Sequence, residues 1–464
     1  MGAAARGKRS STAMSDLPAS ARPVVDARET IASMTNRVSK VPLRRGGWLW
    51  WWIALAPSVV LLGIGIIGVG WAFWRGIRVW GNDWPVMWGF PILAYVWWIA
   101  IASGGTFVSA FFFLVRAEWR TSINRIAETM TLFAVVCAGI YPILHLGRPW
   151  FAYWLFPYPN TMTLWPQWKS PLLWDFMALF TYVVGSVVFW YLGIMPDLAT
   201  MRDRAPGRAA QWTYGFFAMG FRGSGRQWRH LKATYGTMAA IMAPLVVSVH
   251  SVVGLDFAGA ATPGWHSTEY PPIFVFGALW SGLSTVMLLL LAFRRPLGLT
   301  PLITERHFQA LAKLMLTSSL CMSYSYVMDA FQSFYSGIDI DRVQFMNRID
   351  GAQAGVYWGM IFCNCVLPLP LMFRAMRQSH LILAIIAIGS IIGMWLERYN
   401  IVAMTLPRTH LPSAWGGYAP TIWDWAIFGG TIGLFLTGFL IALRLIPIVS
   451  MYEMRELLAK KGHA

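Results

Sequence analysis

The stretch PILHLGRPWFAYW, residues 142–154, places a histidine and an arginine where a long apolar run stops. His145 and Arg148 are costly groups to put near lipid, since a charged side chain inside a bilayer costs about 2.5–3.5 kcal/mol on insertion scales. Such groups pair, line a cavity, or serve a proton or substrate path. Others of the same kind stand at or near the ends of further apolar runs: Asp175, His250, Asp256, Asp329, Glu397 and Arg398. A histidine with a carboxylate nearby is a unit of proton chemistry. The imidazole titrates close to neutral pH, and the carboxylate can orient the ring and pass the proton on.

The elements that hold these groups are membrane spans. The chain has 464 residues, of which 57% are hydrophobic and 12% charged, against about 25% charged in ordinary soluble domains. Its 27 tryptophans suit the membrane–water interface, where Trp collects. A span needs about 20 mostly apolar residues. Ten runs qualify: 49–73, 91–114, 126–146, 172–195, 234–254, 273–293, 310–333, 354–373, 380–397 and 425–447. The expected fold is an all-α polytopic membrane protein of about ten transmembrane helices. Residues 1–45 form a basic, partly disordered N-terminal arm, 46–450 the membrane domain and 451–464 a C-terminal tail.

Basic residues set the orientation. With the N-terminus inside, all but eight of the 37 Lys and Arg fall in inner segments. Both termini are therefore expected to be cytoplasmic. The third, fifth, seventh and ninth runs then lead outward, which puts the candidate groups in the outer leaflet and leaves few ionisable residues in the inner half.

Several function classes drop out. The net charge of +17 does not mark a nucleic-acid binder, because the basic residues sit between apolar runs. Cys137, Cys321, Cys363 and Cys365 lie inside those runs and read as small packing residues. Cys363-Asn-Cys365 alone is no metal site, since structural zinc takes four ligands. Gly63, Gly65, Gly68 and Gly70, like Gly429 and Gly433, read as small-residue faces for helix packing.

The outer-leaflet groups admit three readings. A bis-histidyl haem needs facing histidines within helices, and only His250 is clearly inside a run. A secondary transporter would use Gly or Pro breaks and a midplane site; Pro244 and Ser103-Gly104-Gly105 are breaks, but the polar groups sit outward. A quinol site fits best. Quinol is amphipathic, and its oxidation releases two electrons and two protons. His145 and Asp175 on one membrane face could meet its oxygens, with the aromatic 147–171 loop folded over the ring and Arg148 anchoring the turn. No haem pair or cysteine cluster offers a path for the electrons, so they must leave to a partner.

His145-Leu-Gly-Arg-Pro-Trp150 after an outward span resembles the motif of the NrfD/polysulfide-reductase membrane-subunit family. The stretches at 246–282 (containing HSVVGLDFAG), 394–415 (containing MWLERYNIV) and 418–435 (YAPTIWDWAIFGGTIGLF) are similar to its ten-span ActC-type members from alternative complex III. That resemblance implies two four-helix bundles plus two flanking helices in a bacterial inner (cytoplasmic) membrane. It implies oxidation of quinol, menaquinol or ubiquinol, near the positive side. Electrons would pass to an iron–sulfur subunit and on to c-type cytochrome subunits. The other implied partners are a sister NrfD-like membrane subunit, small membrane subunits, lipids and a terminal oxidase. It implies no haem or iron–sulfur cluster on this chain. His145 and Asp175 match its quinol-site positions. Asp256, Glu397 and Arg398 match second-bundle positions for a proton path, to which His250 and Asp329 are added here from their place in the chain. Pro407 stands where relatives often carry histidine, which leaves proton relay through that loop without its usual group. A quinone-reducing subunit of another oxidoreductase and a secondary transporter remain as alternatives.

Overall fold

A computed structural model describes residues 23–44, 46, 48–155 and 168–462. The chain folds into helices: α1 (Ile31–Leu43), α2 (Leu49–Arg75), α3 (Phe90–Leu114), α4 (Asn124–His145), α5 (Pro171–Arg204), α6 (Arg208–Phe217), α7 (Gly225–Ala258), α8 (Tyr270–Phe293), α9 (Glu305–Tyr335), α10 (Asp339–Asp350), α11 (Ala354–Met372), α12 (His380–Val402), α13 (Ile422–Leu445) and α14 (Met451–Lys460). Among the described residues, nine helices are long and apolar enough to cross a membrane. The seventh expected span is the exception by composition. It lies in α9, which is long enough but carries Lys313, Asp329 and a series of serines. Ser318, Ser319 and Ser325 turn into the protein, and Ser323 and Ser325 bond to the carbonyls one turn back.

The helices pack as two rings of four with two helices on the flank. α3, α4, α5 and α7 close the first bundle, and α8, α9, α11 and α12 the second. The bundles meet along α3, α7, α8 and α12, while α2 pairs with α13, and α13 lies against α4. α5 and α7 have 34 residues each, about 51 Å at 1.5 Å per residue, and so overrun a hydrocarbon core of about 30 Å. That is why both are longer than their apolar runs.

Local sequence fixes the ends. Pro171 opens α5, where a missing N–H costs nothing. Ser224 with Gln227 and Thr421 with Asp424 form capping boxes on α7 and α13. Of the glycines expected to make packing faces, Gly65 and Gly433 do so most directly. A Cβ at Gly65 would lie 2.4 Å from Gly430 Cα, and one at Gly433 2.4 Å from Leu62 N. Nothing packs on Gly63 or Gly70 among the described residues.

α1, α6 and α14 mark one face of the molecule, called here the basic face. The described part of the N-terminal arm is strapped along it. Asp26 N–H donates to the Pro301 carbonyl at 2.9 Å, and Thr304 Oγ1 to those of Pro23 and Val24 at 3.2 Å. Arg204 reaches Asn36 at 2.6 Å and Arg455 reaches Thr35 at 3.2 Å. Residues 1–22 of the arm lie outside the described residues.

Candidate functional site

Three helices of the first bundle converge on a carboxyl pair at the end away from the basic face. Tyr95 sits five residues into α3, Asp175 four residues into α5 and Asp256 two residues from the end of α7. Tyr95 Oη donates to both Asp175 oxygens at 2.9 Å. The Asp175 and Asp256 carboxyls lie within hydrogen-bonding reach of each other. Two carboxyls in such contact hold a proton between them, because two adjacent charges would repel strongly. Tyr95 and Asp175 are buried, and Asp256 Oδ1 finds no donor among the described residues. An aromatic wall follows: Phe257 packs on Trp88, Trp265, Tyr270 and Phe274, with ring centroids 4.8–6.1 Å apart.

His145 is the last residue of α4, at the same end of the bundle. Its ring is half-buried, and its Nδ1 is buried without a partner among the described residues. It makes no hydrogen bond to Asp175, whose partners are Tyr95 and Asp256. Arg148 is exposed, just beyond the left-handed turn at Gly147. Of the loop expected to cover a ring, 156–167 lie outside the described residues.

A second cluster belongs to the other bundle. Glu397 and Arg398, on α12, form an ion pair with both side chains 1% exposed. Tyr326 of α9 donates to Glu397 and accepts from Asn364 Nδ2 at 2.9 Å. Asn364 sits in a π-turn of α11, Phe362–Val366, which aims its side chain inward, where Trp280 Nε1 also donates to it at 3.1 Å. Single π-turns of this kind recur at functional sites. The Arg398 guanidinium lies 4.3 Å from the Phe274 ring centroid, and its Nε and Nη2 have no acceptor among the described residues. His250, fully buried on α7, lies within electrostatic reach of Arg398. Its Nδ1 faces the Val246 carbonyl at 3.4 Å, and its Nε2 is unpartnered among the described residues.

Asp329 continues this cluster outward. It pairs with Arg348 at 3.0 Å. Burial opposes the charge on Arg348, but Asp329 and Tyr270 outweigh it and raise the guanidinium above the ordinary arginine value. A cavity of about 20 Å³ touches Glu397, Tyr326 and Asp329, enough for about one water. A neighbour of about 30 Å³ joins Asp329 to Asp341 and His266. His266 and Asp341 are 3.3 Å apart, with His266 partly exposed.

Two sequence expectations change. The resemblance groups Asp256 with Glu397 and Arg398 in the second bundle. Asp256 instead ends the last helix of the first bundle, and its carboxyl meets Asp175. The inner half is expected to be poor in ionisable groups. Instead Arg125, Glu128 and Asp197 are buried toward the basic face, with Arg125 3.0 Å from Glu128 and 3.4 Å from Asp197. Glu128 is hidden among apolar neighbours at the start of its run; its i,i+3 spacing from Arg125 is the available signal. Tyr95 and Tyr326 also escape sequence reasoning, because a tyrosine in an aromatic-rich span carries no distinguishing pattern. Among the described residues, no three His, Cys, Asp or Glu converge to hold a metal ion.

Residues 79–407 match the family model described as polysulphide reductase, NrfD. The chain belongs to the NrfD family. The match runs from the approach to α3 to the turn after α12, and so takes in both bundles and both clusters. A curated Halobacterium salinarum protein, named as a membrane component of dimethyl sulfoxide reductase, is 27% identical over 244 residues. That alignment covers 51% of this chain and 50% of the relative. This NrfD-family chain thus spans about half the length of the curated relative it matches, and it is a multi-pass membrane protein.

Proposed function

We propose that this chain is the quinol-binding membrane subunit of a multisubunit oxidoreductase, and that it oxidises quinol at the Tyr95–Asp175–Asp256 end of the first bundle. The observation that carries this reading is the carboxyl pair itself. Its Asp175 member is buried and fixed by a phenol, the two carboxyls lie close enough to share a proton, and an aromatic wall stands beside them. Quinol oxidation breaks two O–H bonds. The two protons need acceptors at the ring oxygens, and the two electrons need an oxidant. Asp175, backed by Asp256, takes one proton. His145, whose Nδ1 has no partner among the described residues, takes the other at the same end. Both electrons pass to an iron–sulfur partner subunit, which is reduced as quinol becomes quinone. Arg148 holds the turn that presents His145.

We further propose, from the sequence's resemblance to alternative complex III members, that c-type haems are the next stop and that the site lies near the positive side of a bacterial inner membrane. A second reading is favoured by the name of the Halobacterium relative. A reductase whose membrane subunit draws electrons from quinol runs the same half-reaction here and differs only in its acceptor. A quinone-reducing member would run it backwards. The Asp256, His250, Arg398, Glu397 and Asp329 series, with its water-sized cavities, supplies a proton path from the carboxyl pair toward the same outer surface.

The test is purification of the tagged chain from its native host in mild detergent, with visible spectra before and after quinol is added. Co-purified c-type haems that become reduced support the alternative complex III reading. Reduced iron–sulfur absorbance without haem supports the reductase reading. Asp175→Asn and His145→Ala should each abolish quinol-driven reduction in a fully assembled complex. Normal turnover in both variants would refute the site.

A further inference from the structure

The segment joining α5 to α7 carries more than a connection requires. Between Arg202 and Lys232 the sequence has seven Lys and Arg and one acid, Asp203. α6 lies inside this segment. At ten residues, about 15 Å, it is too short to cross a bilayer. Its inward side is anchored. Tyr214 Oη donates to the carbonyl of Leu445, the last residue of α13, at 2.9 Å. Tyr191 Oη, inside the apolar run of α5, donates to the Phe217 carbonyl at 2.5 Å. Ala218 and Phe221, just past α6, pack with Ile194 and Leu198 of α5 and Leu231 of α7. These contacts hold α6 level with the ends of two spans rather than out in water.

The outward side of α6 is apolar and bare. Trp212, Phe216 and the following Met219 are 73–79% exposed. Trp212 and Phe216 are one turn apart and form a ridge on one side of the helix. Beside the ridge, a groove of about 670 Å³ is lined by Arg202, Asp203, Gln211, Trp212, Gly215 and Phe216. Arg202 is fixed there by Asp203 at 2.8 Å and by the Phe221 carbonyl at 3.1 Å. Arg208, Arg222, Arg226 and Arg229 bracket the ridge in sequence. All four are exposed and enter no ion pair among the described residues. Arg226 and Arg229 share a side of α7, while Trp228 between them packs on Phe221 with ring centroids 5.1 Å apart. Uncompensated guanidiniums around a bare aromatic ridge match the two layers of an anionic leaflet, with phosphates for the cations and acyl chains for the rings.

We propose that α6 is an interfacial helix that seats anionic phospholipid in the leaflet bordering the basic face. Trp212 and Phe216 enter the acyl-chain region, and Arg208, Arg222, Arg226 and Arg229 take the lipid phosphates. The depth fixed by Tyr191 and Tyr214 favours lipid over a soluble acidic protein, which could meet the arginines but would leave the ridge in water. The bound lipid pins the α5–α7 hairpin and the end of α13 to that leaflet. The site is independent of the redox step, since Asp175 stands at the opposite end of α5 from Arg202.

Two measurements test this. In the first, the photo-cross-linker benzoylphenylalanine replaces Trp212 or Phe216, native membranes are irradiated, and the adducts are identified by mass spectrometry. Phospholipid adducts are expected at both positions. Adducts with another protein, or none with lipid, would overturn lipid as the occupant. In the second, the complex purified in detergent is titrated with phosphatidylglycerol and with phosphatidylcholine, and bound lipid is counted by native mass spectrometry. Wild type should prefer phosphatidylglycerol. Arg222→Gln, Arg226→Gln and Arg229→Gln should each weaken that lipid about fivefold and leave phosphatidylcholine unchanged. Lysine at the same three positions keeps the charge and should restore most of the affinity. Trp212→Ser with Phe216→Ser should weaken both lipids alike. Equal affinity for the two lipids in wild type, or unchanged phosphatidylglycerol binding in the triple Arg→Gln variant, would overturn the headgroup assignment.

Discussion

Tyr95→Phe is the cleanest probe of the carboxyl pair. It deletes one oxygen and keeps the ring, so the packing around this 3% exposed side chain survives. What goes is a phenol that bonds both Asp175 oxygens at 2.9 Å. A hydrogen bond to a charged group contributes about 1.5–3 kcal/mol. If that bond positions Asp175 for proton transfer, its loss lowers kcat/KM by about 10- to 150-fold, at 1.36 kcal/mol per tenfold. The assay is initial-rate quinol oxidation by the assembled complex with an artificial electron acceptor. Tyr141→Phe is the matched control. It deletes a buried phenol that contacts Thr431 at 2.9 Å, between α4 and α13 and outside the site. Turnover near wild type is expected in the control. Equal losses in the two variants would show that any buried phenol matters for folding. An unchanged rate in Tyr95→Phe would refute a positioning role for it.

Other perturbations follow from the same geometry. Asp175→Asn and Asp256→Asn should be non-additive in quinol binding affinity, with a coupling of about 0.5–3 kcal/mol in a double-mutant cycle; strict additivity would mean that the two carboxyls act apart. Arg398→Met strands Glu397 in the second bundle and should destabilise the protein by about 3–5 kcal/mol. Combining it with Glu397→Gln should restore much of that in thermal unfolding of the purified complex, and no rescue would argue against a true pair. Gly277→Ala would place a Cβ 3.0 Å from Arg398 Nη2, so it should disturb the second cluster while leaving quinol affinity intact. Gly65→Val must push α2 from α13 and should cost about 1–3 kcal/mol of stability, as overpacking does; an unchanged melting temperature would contradict the close crossing.

The spans are legible in the sequence because lipid imposes a length and a composition on them. The special character of α9 is not, because serines that bond back to their own helix count as polar in any hydropathy sum. The carboxylates at helix ends stand out against apolar neighbours, which is why Asp175, Asp256 and Glu397 can be found. Their partners cannot. Whether Asp256 meets Asp175 or Glu397 depends on how α7 is turned between the bundles, and no spacing within one helix encodes that. Glu128 escapes for a related reason. Its cost is relieved by Arg125 on its own helix and by Tyr235 on α7, and the second of these lies 107 residues away.

The two bundles divide the polar work unequally. Their helices alternate in direction in the same order, so the last helix of each brings an acidic residue to the far end: Asp256 on α7 and Glu397 on α12. In the first bundle that acid faces another acid and a phenol, an arrangement that holds an exchangeable proton. In the second it faces a guanidinium and a phenol, an arrangement that favours a fixed charge, beside a cavity of about 20 Å³. A quinone ring does not fit a space for one water. On the function proposed above, the redox step is assigned to the first bundle, and the Glu397–Arg398 cluster contributes protons, water or a fixed field. His250 stands at the boundary, on the same helix as Asp256 and within electrostatic reach of Arg398. If protons cross between the bundles, His250→Phe should block that crossing and spare the electron count, whereas a change at Asp175 must affect both.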